Sequence, residues 1–428
     1  MSGQSDCDIN CVTSAGALLN QRCACEVVDV FRLHESIRSA FPGFMTDPAV
    51  HAHLFSPYAL FVDRAALDAM GRVAAAVFEV ARNEQYRQRV MQWAPDIAAH
   101  DPGSAGGVLG LDFHLTVDGP RLIEVNTNPG GLLLNAILLD AVRSCAPGMW
   151  TTWTTAAEAR NAAVAAWLGD ARQQSGGAPS RLAIVDSAPR EQFLYPEFEL
   201  YAGAFREHGV DCVIRAPEEL KLGPDGLADA DDRIDMVYNR LTDFALEDAL
   251  HTDLRQAYLA GDVALTPHPR AHALFADKRN LAVLGDLALL EGFGVDAGSK
   301  ALLAQVIPHT VEVVPGDRDA LWAGRNGYFF KPAAGFGSRG SYRGDKLTRR
   351  TWESMASATY VAQAFAPPSM RIVHDGQSLK ADVRCFASEA GVLLFGARLY
   401  QGQTTNMRTP GGGFAAVLTT PPGATAAH

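Results

Sequence analysis

Two carboxylates and an amide lie along the segment GLDFHLTVDGPRLIEVN at 110–126 in a pattern that suits a hard cation. Side chains alternate faces on a strand, so Glu124 and Asn126 in EVN point the same way, and Asp112 on a partner strand can reach that face. Oxygen ligands at strand ends suit Mg2+, which keeps positions for water and phosphate. The same residues also read as the solvated face of an ordinary hairpin. A second grouping is FFKPAAGFGSRGS at 329–341. Lys331 ends an apolar strand, and Gly335, Gly337 and Gly340, with Ser338 between them, form a G-x-G-x-x-G loop whose backbone can close over a polyphosphate. A dinucleotide fingerprint would open a helix there, whereas SYRGDKLT is a poor helix start. A glycine flap between two strands fits better, with a plain glycine hairpin as the alternative.

Charge points to the same end of the chain. Residues 328–428 hold 11 Lys and Arg against 5 Asp and Glu, while the preceding 327 hold 26 against 43. Lys331, Arg339, Arg343 and Lys346 sit in or beside the loop, and Lys380, Arg384, Arg398 and Arg408 follow. A solvated basic face gives the same count, so charge alone does not separate the two readings.

The elements that must hold these groups are legible as periodicity. Residues 63–94 carry Leu67, Met70, Val73, Val77 and Val80 at helical spacing, with Asp63 placed to cap the N-terminus. GLDFHLT and PRLIEVN alternate about Val117-Asp118-Gly119, a hairpin with an Asp-Gly turn, and LLLNAILLDAVRSC follows as an apolar helix. QQSGGAPS at 173–180 reads as a linker. Beyond it RLAIVD, PEFELYAGAFREHG, DCVIRA and IDMVYNRL alternate strand, helix, strand, strand, the pattern of a small parallel α/β domain. A helix, ADKRNLAVLGDLALL, then precedes the strands YFFKP, YVAQAF, LKADVRCFA and GVLLFGARLY. The division expected is 1–100, a helical region without an evident role; 101–172, the metal-binding segment and helices; 180–264, the α/β domain; and 265–428, the nucleotide-binding domain.

Composition limits the function classes. With 428 residues, 48% hydrophobic, and a net charge of -11, the chain is an ordinary globular protein of two or three domains and a poor general binder of nucleic acid or anionic membrane. No apolar run is long enough to span a membrane, and the start MSGQSDCDIN lacks a basic n-region, so the cytoplasm is the expected compartment. Cys145, Cys212 and Cys385 stand apart in apolar surroundings. Cys7, Cys11, Cys23 and Cys25 crowd the N-terminus in a spacing unusual for zinc, and His51 and His53 form an H-x-H pair that suits two surface histidines as well as ligands.

Taken together, these segments resemble the ATP-grasp ligases, such as D-alanine:D-alanine ligase and glutathione synthetase. GLDFHLTVDGPRLIEVNTNPGG at 110–131 resembles the family's metal-binding segment, and the resemblance makes Asp112, Glu124 and Asn126 the magnesium ligands. Asp277-Lys278 resembles the first phosphate-contacting lysine segment, and Lys331 with its glycines the second. YVAQAFAPP at 360–368 resembles the segment that contacts adenine, implying Gln363, Ala364 and Phe365; ARLYQGQTTNMRTPGGG at 397–413 resembles the stretch beside the transferred phosphate, implying Arg398 and Asn406 as catalytic groups. His114 stands where the ligases place an apolar or aromatic residue. The metal segment comes first rather than last, a circularly permuted order like that of eukaryotic glutathione synthetase, and permutation is credible where termini lie close together.

The resemblance therefore implies an α/β ATP-grasp fold with an inserted parallel substrate domain. It further implies ATP and Mg2+, a carboxylate and an amine as small-molecule substrates, and an amide formed through an acyl phosphate, with Asn239, Arg240 and Arg408 as candidate substrate clamps. A homodimer is among the expectations. A small-molecule kinase and a non-catalytic nucleotide-binding protein are the alternatives.

Overall fold

The fold comes from a computed structural model and is described for residues 15–40, 53–142, 150–335, 340–403 and 409–420. Its largest sheet has seven strands. The long hairpin Ser378–Ser388 (β16) and Gly391–Tyr400 (β17) lies at its centre. Gly413–Leu418 (β18) and the short Leu60–Phe61 (β1) extend it on the β17 side; Leu109–Thr116 (β2) and Gly119–Asn126 (β3) extend it on the β16 side. Ser369–Ile372 (β15) pairs with the first residues of β16, ahead of those that β2 takes. Only β1 against β18 runs parallel among these pairs.

Both faces of the sheet are covered, which explains the near-continuous apolar runs. Ala415 and Val417 of β18 meet the helix Arg64–Arg82, whose Leu67, Met70, Val73, Val77 and Val80 are all buried as their spacing predicts. Phe414, Ala416 and Leu418 turn the other way, onto the helices Leu132–Asp140 and Ala156–Ser175. The N-terminal residues, for which the sequence suggests no role, thus form one wall of the sheet's core. Past these helices the second face of β2, β3, β16 and β17 turns polar, and the site lies there.

Arg181–Val185 (β4), Asp211–Arg215 (β5), Met236–Asn239 (β9) and Ala264–Thr266 (β10) make a parallel sheet in the order β10-β9-β4-β5. Leu182 and Ile184 face the helix Tyr195–Glu207; Ala183 and Val185 face the helix Thr252–Ala260. Leu220–Gly223 (β6), Gly226–Asp229 (β7) and Asp232–Arg233 (β8) form a small meander inserted between β5 and β9. Thr310–Glu312 (β11), Tyr328–Pro332 (β12), Tyr342–Arg343 (β13) and Tyr360–Ala364 (β14) make a separate antiparallel sheet in the order β11-β14-β12-β13, backed by Phe330, Trp352 and Met355.

Several boundaries differ from the sequence expectation. The helix expected over 63–94 breaks at Asn83, whose side chain accepts from Gln85 and Tyr86 N–H and caps a new helix, Glu84–Val90. Asp63 caps nothing with its side chain; Oδ1 accepts from Gly16 N–H at 3.2 Å instead. The linker begins only at Gly176 (φ +73°), because Ala156–Ser175 is a helix opened by a Thr155–Glu158 capping box. The helix near 276–290 is two helices, Arg279–Leu284 and Leu287–Gly292, the second capped by Asp286. Among the described residues no helix is long and apolar enough to cross a membrane. Cys7, Cys11, Cys145 and His51 lie outside the described residues.

Candidate functional site

Strands β2 and β3 pair Asp112 directly with Glu124 and Gly110 with Asn126, so the three predicted ligands share one face. One residue further along, the register shifts and Ile123 is left as the extra residue of a bulge. Its freed carbonyl accepts from Lys331 Nζ at 2.7 Å, which ties the β2–β3 hairpin to the sheet β11–β14. Lys331 Nζ also donates to Gln363 Oε1 at 2.8 Å, and Gln363 in turn donates to the Thr310 hydroxyl. Lys278 Nζ lies 3.1 Å from Glu124 Oε1 and donates to the Gly335 carbonyl at 2.6 Å. Burial lowers the Lys331 ammonium to about 8 despite Glu124 nearby. Burial works against ionisation of Glu124, but Lys278 and Lys331 outweigh it and hold the carboxyl below its ordinary range.

Asp112 is more committed than the sequence suggests. Arg384 grips it with two bonds, Nε to Oδ1 at 2.6 Å and Nη2 to Oδ2 at 2.7 Å, and Arg398 Nη2 adds a third at 2.9 Å. Burial pushes the Asp112 carboxyl up, and the two guanidiniums overcome that and bring it to about 2. Arg398 also holds Asp382, through Nε at 2.7 Å and Nη2 at 3.1 Å. Asn126 Nδ2 points to Asp112 Oδ2 at 3.3 Å. The Glu124 side chain is 27% exposed and that of Asp112 2%, so Glu124 is the more accessible carboxylate.

A cavity of about 280 Å3 collects most of the predicted groups: Asp112, Glu124, Asn126, Lys278, Lys331, Gly335, Gln363, Ala364, Phe365 and Arg398 all line it. Asp382, Arg384 and Arg343 line it too. Asp382 was missed, although ADVR on a strand puts Asp382 and Arg384 on one face. His114 is on the wall, its Nδ1 2.7 Å from the Ala366 carbonyl oxygen, and burial keeps its pKa below the ordinary value. Ala364 N–H donates to His309 O at 2.7 Å and Phe365 N–H to Gly327 O at 2.8 Å, so neither amide is free to read a base; Arg343 lies 4.7 Å over the Phe365 ring. Gly340, at φ +69°, does not line the cavity. Gly337, Ser338, Asn406 and Arg408 lie outside the described residues.

A wider cavity of about 860 Å3 adjoins the first, sharing Glu124, Asn126, Lys278 and Gly335 with it. Arg240 lines it; Asn239 does not, being held by the Pro267 carbonyl and by Leu241 N–H. Arg240 donates to Asn128 Oδ1 and, at 3.2 Å, to the Tyr238 hydroxyl. Asp186 lies on the same wall, its carboxyl raised to about 6 by burial against the pull of Arg240.

Among the described residues no three His, Cys, Asp or Glu side chains cluster closely enough to hold a metal by themselves. The donor set of Glu124, Asp112 and the Asn126 amide is nevertheless all oxygen in kind, which fits Mg2+ completed by phosphate and water. Two cations beside Glu124 and two beside Asp112 leave a positive lining that fits a polyphosphate.

No family profile and no curated protein matches the chain. Among solved structures, a glutathione synthetase-like effector from Globodera pallida in its apo form is 13% identical, with 85% of this chain and 89% of that chain covered and a TM-score of 0.55. The chain therefore shares that protein's fold, a mixed α/β architecture. A protein provisionally assigned as a gamma-glutamylcysteine synthetase, from Methylobacillus flagellatus KT, is 11% identical over 78% of this chain and 83% of that one, at a TM-score of 0.47.

Proposed function

We propose that the chain is an ATP-dependent ligase that joins a carboxylate to an amine through an acyl phosphate, in the manner of glutathione synthetase. The observation that carries this reading is the convergence of Glu124, Asn126, Lys278 and Lys331 on one cavity that opens into a second, wider one. A nucleotide in the smaller cavity would place its phosphates at that junction, beside an acceptor in the larger one. The permuted segment order fits: β2 and β3, early in the chain, lie beside β16 from its end.

Lys278 and Lys331 would neutralise phosphate oxygens, Lys278 leaving the Glu124 carboxylate as it does so. Glu124, Asn126 and Asp112 would hold Mg2+, which when bound supplies charge neutralisation across the phosphates. The adenine would rest near Gln363 to Phe365, read by groups other than the amides of 364 and 365. Arg240 would orient the acceptor. Arg398, with Nε and Nη2 held by Asp112 and Asp382, is a preorganised cation for the oxyanion of the tetrahedral intermediate. No side-chain nucleophile is needed, because phosphorylation activates the acid.

The test is a panel of acids and amines with Mg-ATP, read by phosphate release and by the mass of the product. Release that needs both partners, with an amide formed, supports the ligase. A stable phosphorylated product with one partner points to a kinase, and no turnover with any pair counts against catalysis.

A further inference from the structure

Two buried hydrogen-bond donors, on residues that line the wider cavity, meet no acceptor among the described residues. Thr127 is 1% exposed and His272 7%, and the Thr127 hydroxyl is bonded to His272 Nδ1. Among the described residues that hydroxyl has no other partner, so its proton is satisfied only by donation to Nδ1. Nδ1 is then the acceptor and Nε2 carries the hydrogen. Among the described residues Nε2 meets no acceptor, and neither does Arg240 Nε. Both side chains line the wider cavity.

These donors are tied to consecutive residues. His272 is held by Thr127 and Arg240 by Asn128, directly after Asn126 at the end of β3. The two anchors are therefore about 3.8 Å apart along the backbone. Phe244 lies against the imidazole, centroids 4.2 Å apart, and fixes its plane. His272 also opens the one-turn π-helix His272–Ala276 that leads into Asp277 and Lys278, a backbone form rare enough to mark functional positions. Burial, with His268 adding to it, brings the His272 pKa down to about 3, so the ring is neutral at working pH and the roles of its nitrogens do not change. Asp186, Asp243 and Glu247 line the same cavity together with Arg240, Lys278 and Arg279, so an anion is favoured only beside one of those cations.

We propose that the wider cavity receives the carboxylate substrate at this corner and that His272 Nε2–H donates to one of its two oxygens, with Arg240 beside it. This rests on the ligase reading for its chemistry. One carboxylate oxygen attacks the γ-phosphorus as the bond to ADP breaks; the other becomes the acyl carbonyl. When the amine nitrogen bonds to that carbon, the carbonyl oxygen takes the electron pair, and His272 shares that oxyanion with Arg398. The C–O bond to phosphate then breaks and the nitrogen releases its proton to water. His272 donates a hydrogen bond throughout and transfers no proton.

The experiment uses the full chain labelled with 15N-histidine, with His272 assigned by its loss in His272→Gln. Long-range 15N NMR is expected to show the Nε2–H tautomer, unchanged between pH 6 and 8 as a flat line, and acetate is expected to shift it where chloride at equal ionic strength does not. An Nδ1–H tautomer, or no response to acetate, overturns the proposal. On an acid that turns over, His272→Leu should lose about 10- to 100-fold in kcat/KM for the acid with KM for ATP unchanged, and His272→Gln, which keeps an N–H, should recover part of it. Equal kcat/KM in wild type and His272→Leu also overturns it. If the wild type releases no phosphate with any acid, the ligase reading fails, and the acetate response still decides the binding site by itself.

Discussion

Arg384 and Asp112, 272 positions apart in sequence, form a two-bond ion pair of 2.6 and 2.7 Å across adjacent strands. The pair is nearly closed to water, and so its two members depend on each other. Arg384→Met should destabilise the fold by about 3 kcal/mol, because a buried carboxylate loses most of its compensation. Urea unfolding should show a lower midpoint at unchanged slope. The double variant with Asp112→Leu should be more stable than the sum of the two single effects predicts.

Glu124→Gln should leave folding intact and remove the response to Mg-ATP. Ligand linkage predicts a rise of the wild-type melting temperature at saturating Mg-ATP. The assignment of Glu124 as a ligand is wrong if the variant shows the same magnesium-dependent rise.

Lys331 should set a pH limit on nucleotide binding. Its ammonium, lowered to about 8 by burial, is charged below that pH and neutral above it. Apparent affinity for ATP should therefore weaken as pH rises from 7 to 9, and Lys331→Met should bind weakly at every pH. Titrations monitored by nucleotide fluorescence would check both.

Asp186 should make the protein less stable as pH rises. Its folded pKa, about 6, exceeds the ordinary value of 3.8 because burial disfavours the charge. The stabilisation that comes from holding the proton is complete below about 3.8 and is lost as pH rises through about 6. Asp186→Asn should flatten this dependence and gain on the order of 2 to 3 kcal/mol over wild type at pH 7. Denaturant midpoints measured from pH 4 to 7.5 would show it.

Gly131→Ala should be strongly destabilising. Gly131 has φ +97°, and a Cβ there would come within 2.4 Å of the Phe414 ring. Its N–H is also gripped at 2.8 Å by Glu197, which accepts from Leu133 N–H as well and closes the N-terminus of the helix after the β2–β3 hairpin. A loss of about 2 to 4 kcal/mol is expected, read as a lower urea midpoint.

Much of the molecule was readable as local pattern. Alternation placed β2 and β3, strand-like runs placed β16 and β17, and alternation put Glu124 and Asn126 on one face, because side-chain direction on a strand follows from position alone. Helical spacing placed the buried face of Arg64–Arg82. The break at Asn83 and the late start of the linker escaped it, since each depends on a single cap competing with a periodic run.

The residue types and spacings of the sequence by themselves determined which groups could bind a cation and a polyphosphate, and roughly which strands and loops carry them. What each group is doing was decided by tertiary structure. Asp112 is held by arginines from β16 and β17, the Ala364 and Phe365 amides are taken by neighbouring carbonyls, and Ile123 offers its carbonyl to Lys331 because of a one-residue bulge. Partners tens to hundreds of residues apart leave no mark on local periodicity. Whether a donor or a carboxylate is free for a ligand depends on those partners, and they meet only when the chain has folded.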